Sequence, residues 1–300
     1  MKMNLFHVCK TSKGLCCSVL LIVTFFNSCK GQSDRAYSTE NSLKNEQDVY
    51  SYKGIIENGL TVVERFPPPN GYERKTLEQG SFQMYLRNIP LKPAGTKVRL
   101  YDGSIKRRDV HEAVVDMEIS NRNLQQCADA IIRLRAEYLY SQKRYNQISF
   151  SLTNGFEVSY LKWMEGNRVV VSGSKTSWKR LTTPSNTYKE FRNYLEFIFM
   201  YAGTISLEKA LKPKNMADVV IGDVFIKAGS PGHAVIIVDI AENVNHEKVF
   251  LLAQSYMPAQ EIHILKNLNS EAHSPWYDAK VLNELKTPEW TFDLSQLKSF

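Results

Sequence analysis

The chain has 300 residues, of which 43% are apolar and 23% are charged, as in ordinary globular proteins. It carries 38 basic and 31 acidic side chains, a formal net charge of +7. It has neither a basic stripe with interleaved aromatic residues nor a glycine-rich loop of the kind that cradles phosphates. We therefore expect no nucleic-acid partner.

Residues 1–28 have the pattern of a secretory signal peptide. Lysines stand at positions 2, 10 and 13, acidic residues are absent, and the apolar run from Leu15 to Phe26 is shorter than the roughly 20 residues that a membrane-spanning helix needs. Without this segment the chain carries 35 basic and 31 acidic side chains, a net charge of +4. The basic excess is then too small to indicate a strongly basic surface.

The end of that segment, Phe26-Asn27-Ser28-Cys29, resembles the lipobox of bacterial lipoproteins. The resemblance implies cleavage before Cys29, a lipid on its thiol, and a chain tethered to a membrane by its first residue. We expect a bacterial cell-envelope protein on the periplasmic or outer-membrane face. Simple secretion and a retained N-terminal anchor are the alternatives.

The cysteines divide by position. Cys9, Cys16 and Cys17 lie in the signal segment and Cys29 is the expected lipid site, which leaves Cys127 alone. A lone thiol in an oxidising compartment makes no internal disulfide. It is either a buried small apolar residue or a reactive group.

Residues 29–49 are polar and predict a flexible tether, and residues 50–300 predict a single domain. The elements expected in it, in chain order, are a short helix or turn at Gly80–Asn88, strands at Val98–Tyr101, His111–Ile119, Gln147–Thr153, Val158–Trp163 and Arg168–Ser172, helices at Tyr188–Tyr201 and Ser206–Leu211, and a strand at Ile262–Leu265. The chain beyond Asn267 reads mostly as loop.

The best helix is predicted over Leu124–Tyr138, where apolar residues recur three or four positions apart. Ser120 or Asn123 is expected to cap it. Cys127 then falls in the first turn on the inward face. There the helix dipole and unpaired amides favour a thiolate, so we expect a lowered thiol pKa.

Three strands are predicted at Val219–Lys227, Ala234–Ala241 and Lys248–Tyr256. His233 opens the second, after Pro231-Gly232, where the backbone can turn sharply. Gln254 is a polar residue among the apolar residues of the third strand. We expect chemistry at this histidine and glutamine.

A thiol at a helix start, a histidine at a strand start and a polar residue on the next strand follow the order of parts in papain-like cysteine enzymes. Cys127 would be the nucleophile, His233 the general base and acid, and Gln254 the residue that orients the imidazole. The other reading is that Cys127 only packs in the core. The remaining histidines lack metal-ligand spacing, so we expect neither a metal nor another cofactor.

GDVFI followed by PGHAVIIVD resembles the glycine-aspartate and glycine-histidine strands of the NlpC/P60 and CHAP families of peptidoglycan amidases and peptidases. The resemblance implies a papain-like α+β fold, with a central helix packed on an antiparallel sheet. It also implies structural roles for Gly222 and Asp223 beside Gly232. Those families place Asp before the cysteine and Ser-Gly after it, whereas this chain has Gln126 before and Ala128-Asp129 after. The spacing from Cys127 to His233 also requires an insertion at about residues 142–211, and an N-terminal extension precedes the helix.

Over nearly the whole mature chain, the sequence is similar to a lipoprotein family catalogued as domain of unknown function 4846. The segments that carry this similarity are RFPPPNGYER, LKPAG, LQQCADAIIRLRAEYLY, GDVFIKAGSPGHAVIIVD and LLAQSYMPAQEIHILKN.

Two classes of function follow. The first is a membrane-anchored papain-like cysteine hydrolase that cuts an amide or peptide bond in a cell-wall peptide or an envelope protein. The second is a non-catalytic envelope module of the same fold that binds a glycan, a peptide or a protein partner.

Overall fold

The computed structural model describes residues 54–173, 175–270, 273–280 and 283–300. The signal segment, Cys29 and the tether lie outside the described residues. All described residues belong to one compact unit, residues 44–300.

The helices of the described residues number six in our labelling. They are α1 (Val62–Arg65), α2 (Phe82–Arg87), α3 (Cys127–Ser141), α4 (Tyr160–Met164), α5 (Tyr188–Tyr201) and α6 (Thr204–Ala210). None of them is long and apolar enough to cross a membrane.

The strands of the described residues number fifteen in our labelling, and all but two of them have six residues or fewer. They are β1 (Tyr72–Glu73), β2 (His111–Val114), β3 (Ser149–Ser151), β4 (Glu157–Ser159), β5 (Asn167–Ser172), β6 (Lys175–Arg180), β7 (Lys212–Pro213), β8 (Val224–Lys227), β9 (His233–Asn243), β10 (Lys248–Gln254), β11 (His263–Leu265), β12 (Tyr277–Asp278), β13 (Glu284–Lys286), β14 (Thr291–Asp293) and β15 (Leu297–Ser299).

A central antiparallel sheet organises the molecule in the order β2-β11-β10-β9-β8-β15-β7, with β1 added beside β9 and β12 beside β10. The strands β8, β9 and β10 are buried along almost their whole length, because both faces of this part of the sheet are covered. The protein is therefore of the α+β class, with a mainly antiparallel sheet.

Side chains of β9 alternate between two hydrophobic clusters. Ala234, Ile236 and Val238 belong to the larger cluster, which contains the buried face of α3. Val235 and Ile237 belong to a smaller cluster, formed with residues from the last strands of the chain. The helix α3 thus covers one face of the sheet, and the C-terminal segment covers the other.

The three central strands were predicted at the correct places in the sequence, but their observed ends differ from the predicted ones. The structure starts β9 at His233 and continues it to Asn243, and β8 is reduced to Val224–Lys227. The helix at Tyr188–Tyr201 has the bounds predicted from its apolar spacing.

Two predicted strands were wrong. The segment expected as one strand at Val158–Trp163 is the end of β4 followed by α4, because Tyr160 and Trp163 pack into the core at helical spacing. The segment Val98–Tyr101 makes only isolated bridges. The tail beyond Asn267, expected to be mostly loop, contains four short strands, and the last of them, β15, pairs with both β8 and β7.

Candidate functional site

His233 and Gln254 are joined directly. His233 lies at the first position of β9 and Gln254 at the last position of the neighbouring β10, and His233 Nε2 is 2.8 Å from Gln254 Oε1. Both residues are buried, with His233 only 1% exposed. The imidazole is packed against three rings, those of Tyr256, Trp290 and Phe292, at centroid distances of 4.9, 5.5 and 5.8 Å.

A buried carboxylate fixes the orientation of the Gln254 amide. Gln254 Nε2 donates to Glu289 Oε2 at 2.7 Å, and the other oxygen of Glu289 pairs with Lys106 Nζ at 2.8 Å. Gln254 Nε2 also lies 3.4 Å from Nε2 of His263. Because the amide nitrogen faces a carboxylate that only accepts, the amide oxygen must face His233.

This orientation decides the tautomer of His233. The Gln254 oxygen can only accept, so Nε2 of His233 carries the proton and donates it. The unprotonated ring nitrogen is then Nδ1, which can accept a proton. The chain of bonds from Lys106 through Glu289 and Gln254 therefore determines which nitrogen of His233 is basic.

Cys127 is the first residue of α3, directly after Gln126. Its thiol is contacted by the backbone amides of Ala128 and Ala234, the second of which belongs to the residue after His233. Ser255, beside Gln254, has its Oγ 2.7 Å from the carbonyl oxygen of Gln260 and 3.1 Å from that of Gln125, so the end of β10 lies against the segment before Cys127. These contacts bring the helix start to the start of β9.

The thiol lies beside the peptide that joins His233 to Ala234. Of the two ring nitrogens, Nδ1 is the one nearer the backbone, and Nε2 is used by Gln254. The structure records no hydrogen bond between the Cys127 thiol and the His233 ring among its described contacts.

The expected lowering of the thiol pKa was wrong. Burial, followed by the negative charge of Asp129, raises the pKa of Cys127 to about 11, although the amides of Ala128, Ala234 and Cys127 itself act in the opposite direction. Burial likewise lowers the pKa of His233 to about 4, against the hydrogen bond to Gln254 and the charge of Glu289. In this state both groups are neutral near pH 7.

The prediction of this helix did not anticipate that the Asp129 side chain is buried at its start. Its Oδ2 accepts the backbone N–H of Gln126 at 3.0 Å, while its Oδ1 is buried without a hydrogen-bond partner. Burial raises the pKa of Asp129 to about 8. Asn123, an expected cap, instead accepts the N–H of Ala259 at 2.7 Å.

The three residues expected to be structural are constrained by close packing. A side chain at Gly222, where φ is +95°, would meet the ring of Phe82 at 3.1 Å, and one at Gly232 would meet Thr204 Oγ1 at 2.6 Å. Asp223 accepts the N–H of Val220 at 2.7 Å and pairs with Lys214 at 2.9 Å. Asp223 therefore holds the turn that leads into β8.

Cys127 is nearly buried. Its side chain belongs to a residue that is 7% exposed, and four concavities of the described surface are lined by other residues. No group of three His, Cys, Asp or Glu side chains within the described residues is arranged to hold a metal ion.

The sequence pointed to Cys127, His233 and Gln254 but missed Glu289, Lys106 and His263. Glu289 and Lys106 stand 183 residues apart, so no local pattern joins them. His263 was given no role by the sequence beyond its place in the predicted strand Ile262–Leu265, and the structure shows it fully buried in β11. Its position in an apolar strand next to β10 was the only available signal.

Comparison with known proteins gives one family. No curated protein and no solved structure matches the chain. The family model described as domain of unknown function (4846) matches residues 62–299, which include the whole central sheet, α3 and the network around His233. The chain therefore belongs to the family of domain of unknown function 4846.

Proposed function

We propose that the protein is a papain-like cysteine hydrolase that cleaves an amide or peptide bond, with Cys127 as nucleophile, His233 as base and acid, and Gln254 as the orienting residue. The observation that carries this proposal is the 2.8 Å contact between His233 Nε2 and Gln254 Oε1, together with the thiol placed against the amide of Ala234. That contact leaves Nδ1 as the proton acceptor on the backbone side of the ring.

The reaction follows from these positions. The Cys127 proton moves to Nδ1 of His233 as the sulfur attacks the substrate carbonyl carbon, and the oxyanion is stabilised by the amides at the start of α3. The carbon–nitrogen bond breaks, and His233 returns the proton to the leaving amine. Water then attacks the thioester with His233 as base, which releases the acid and restores the thiol.

Burial of Cys127 determines how much assistance its thiol needs from His233. A pKa of about 11 in place of 9.0 reduces the thiolate fraction of Cys127 at pH 7 by about 100-fold, and an unassisted Cys127 is therefore slower than an ordinary cysteine. The proposal requires that His233 offset this loss by taking the proton in the same step in which the sulfur attacks.

Alkylation of the native protein tests the proposal. We expect iodoacetamide to modify Cys127 at pH 7 at least as fast as it modifies glutathione, with peptide mapping by mass spectrometry to separate Cys127 from the other cysteines. His233→Ala should slow the modification at least about tenfold. His246→Ala is the matched control, since the His246 side chain is 85% exposed and remote from this network. Modification of Cys127 only after denaturation would rule the proposal out.

Burial of the pair favours a second candidate, a binding module that keeps the fold without catalysis. Its ligand would be a glycan, a peptide or a protein partner in the envelope. It predicts that Cys127→Ser leaves any cell-wall phenotype of a deletion strain fully complemented. Failure of the serine variant to complement at equal abundance would exclude it.

For the location we propose a lipid-anchored envelope protein, supported by the lipobox resemblance at Cys29. Cells fed an alkyne fatty acid should label the full chain, and Cys29→Ala should abolish the label. Cys17→Ala, a change within the signal segment, should not. Equal labelling of both variants would contradict the anchor.

A further inference from the structure

A second concavity lies away from Cys127, where the start of α2, the later turns of α3, the turn before β8 and the last two residues meet. Its volume is about 410 Å³, within the range of small-molecule sites. Its walls combine aromatic rings with three cations, Arg135, Arg144 and Lys214.

Arg135 is the central cation of this cleft. Its guanidinium carbon lies 4.9 Å from the ring centroid of Phe82, 5.5 Å from that of Tyr138 and 5.1 Å from that of Phe300. It forms no ion pair with a carboxylate of the described residues, and it is half-buried. Burial lowers the pKa of Arg135, against the effect of Tyr138, and the nearby charge of Arg144 acts in the same direction as burial.

The other two cations differ in their partners. Lys214 is neutralised by Asp223, with the shorter contact at 2.9 Å. Arg144 donates only to a neutral group, the hydroxyl of Tyr138 at 3.3 Å, and that hydroxyl donates to the carbonyl of Gly80 at 2.9 Å. Glu78 and Asp223 also line the cleft. Neither carboxylate pairs with Arg135 or Arg144, so both guanidinium groups are left without an ion-pair partner among the described residues.

We propose that this cleft binds a ligand that carries an oxyanion, a carboxylate or a phosphate, on a flat apolar group. Guanidinium groups bind such anions through paired N–H donors, and a half-desolvated cation gains more from an anion than an exposed one does. The rings of Phe82 and Phe300 would contact the apolar part of the ligand. The site is independent of the proposed thiol chemistry.

Titration with benzoate, phenyl phosphate and benzyl alcohol tests this site, followed by calorimetry or by amide NMR shifts. We expect at least one anion to bind with a dissociation constant of about 1 mM, a value usual for ligands of this size. The neutral alcohol should bind at least about tenfold more weakly. The preferred anion distinguishes a carboxylate ligand from a phosphate ligand.

Substitutions of the cleft's arginines test whether the anion binds in this cleft. Arg135→Gln and Arg144→Gln should each weaken anion binding about tenfold, and Arg135→Lys should recover part of the loss. Arg122→Gln is the matched control, because Arg122 is exposed and pairs with Glu196 outside the cleft. Cys127→Ser should bind the anion like the wild type, whatever the outcome of the alkylation test. Absence of anion binding, equal binding of the alcohol, or unchanged binding by both glutamine variants would overturn the proposal.

Discussion

At the scale of the residue, Glu289 controls the chemistry of His233 through Gln254. Its carboxylate holds the amide nitrogen at 2.7 Å, so the amide oxygen is left to accept from Nε2 of His233. Without that carboxylate the amide can rotate by half a turn and present its NH₂ group to the ring, which would then have to accept on Nε2.

We therefore expect ¹⁵N NMR of histidine-labelled protein at pH 7 to show His233 protonated on Nε2 alone. Glu289→Ala should produce a mixture of tautomers and slow alkylation of Cys127 about tenfold, whereas Glu289→Gln, which keeps an acceptor oxygen, should retain most of the rate. Asp109→Ala is the control, since Asp109 is an exposed carboxylate that also pairs with a lysine. If His233 of the wild type is protonated on Nδ1, then Glu289 and Gln254 do not set its tautomer as we expect.

The sequence led to His233 and Gln254 because each is a polar residue at one end of an apolar strand, and a buried polar side chain needs a partner. The sequence could not lead to Glu289. This residue lies in a segment without clear apolar periodicity, and it reaches the site only because the C-terminal segment packs against the sheet. The direction in which the pKa of Cys127 shifts could also not be predicted from the sequence. The helix start favours the thiolate, but the depth of burial, which outweighs it, is a property of the folded chain.

At the scale of the element, the first turn of α3 combines a thiol with a buried carboxyl two residues later. Burial raises the pKa of Asp129 from 3.8 to about 8. Between about pH 4 and pH 8 the folded protein thus holds a proton that the unfolded chain has released. The free energy of unfolding therefore falls as the pH rises through this range.

Asp129→Asn removes this pH dependence while keeping an oxygen that can accept the N–H of Gln126. We expect the variant to be more stable than the wild type at pH 8 by at least about 1 kcal/mol, with the difference shrinking toward pH 5. Urea unfolding at both pH values measures it, with Asp116→Asn as the control because Asp116 is exposed. A difference that grows on acidification would show that Asp129 is ionised in the folded state.

Helices and strands with a strong apolar periodicity could be predicted from the sequence. Strands that form only because they pair with neighbouring strands could not. The spacing along Tyr188–Tyr201 determines a helix by itself. By contrast, β15 has three residues and is a strand only because β8 and β7 lie on either side of it.

At the scale of the whole molecule, the C-terminal segment is part of the core. Leu285, Phe292 and Leu297 are fully buried in the cluster on the side of the sheet opposite α3. Phe292 also packs on His233. The tail therefore supports both the sheet and the candidate site.

We expect Leu297→Ala to lower the free energy of unfolding by about 2–5 kcal/mol, because the site is closed on both sides by neighbouring strands and cannot collapse fully. Denaturant titration measures the loss. Val244→Ala, at a residue 92% exposed, should change it by less than about 0.5 kcal/mol. A loss below about 1 kcal/mol for Leu297→Ala would mean that the tail is only loosely attached.

The proposal that Cys127 and His233 act together is tested most directly by the pH dependence of Cys127 alkylation, compared between the wild type and His233→Ala. With the pKa of His233 lowered to about 4, its imidazole is neutral throughout the range from pH 6 to pH 8 and can accept the thiol proton. We expect the wild-type rate to be nearly constant over that range and at least about tenfold above the variant's. The variant should instead rise steadily toward a pKa of about 11. If both proteins follow that same single rise, His233 does not assist Cys127, and the chain is not a cysteine hydrolase of this kind.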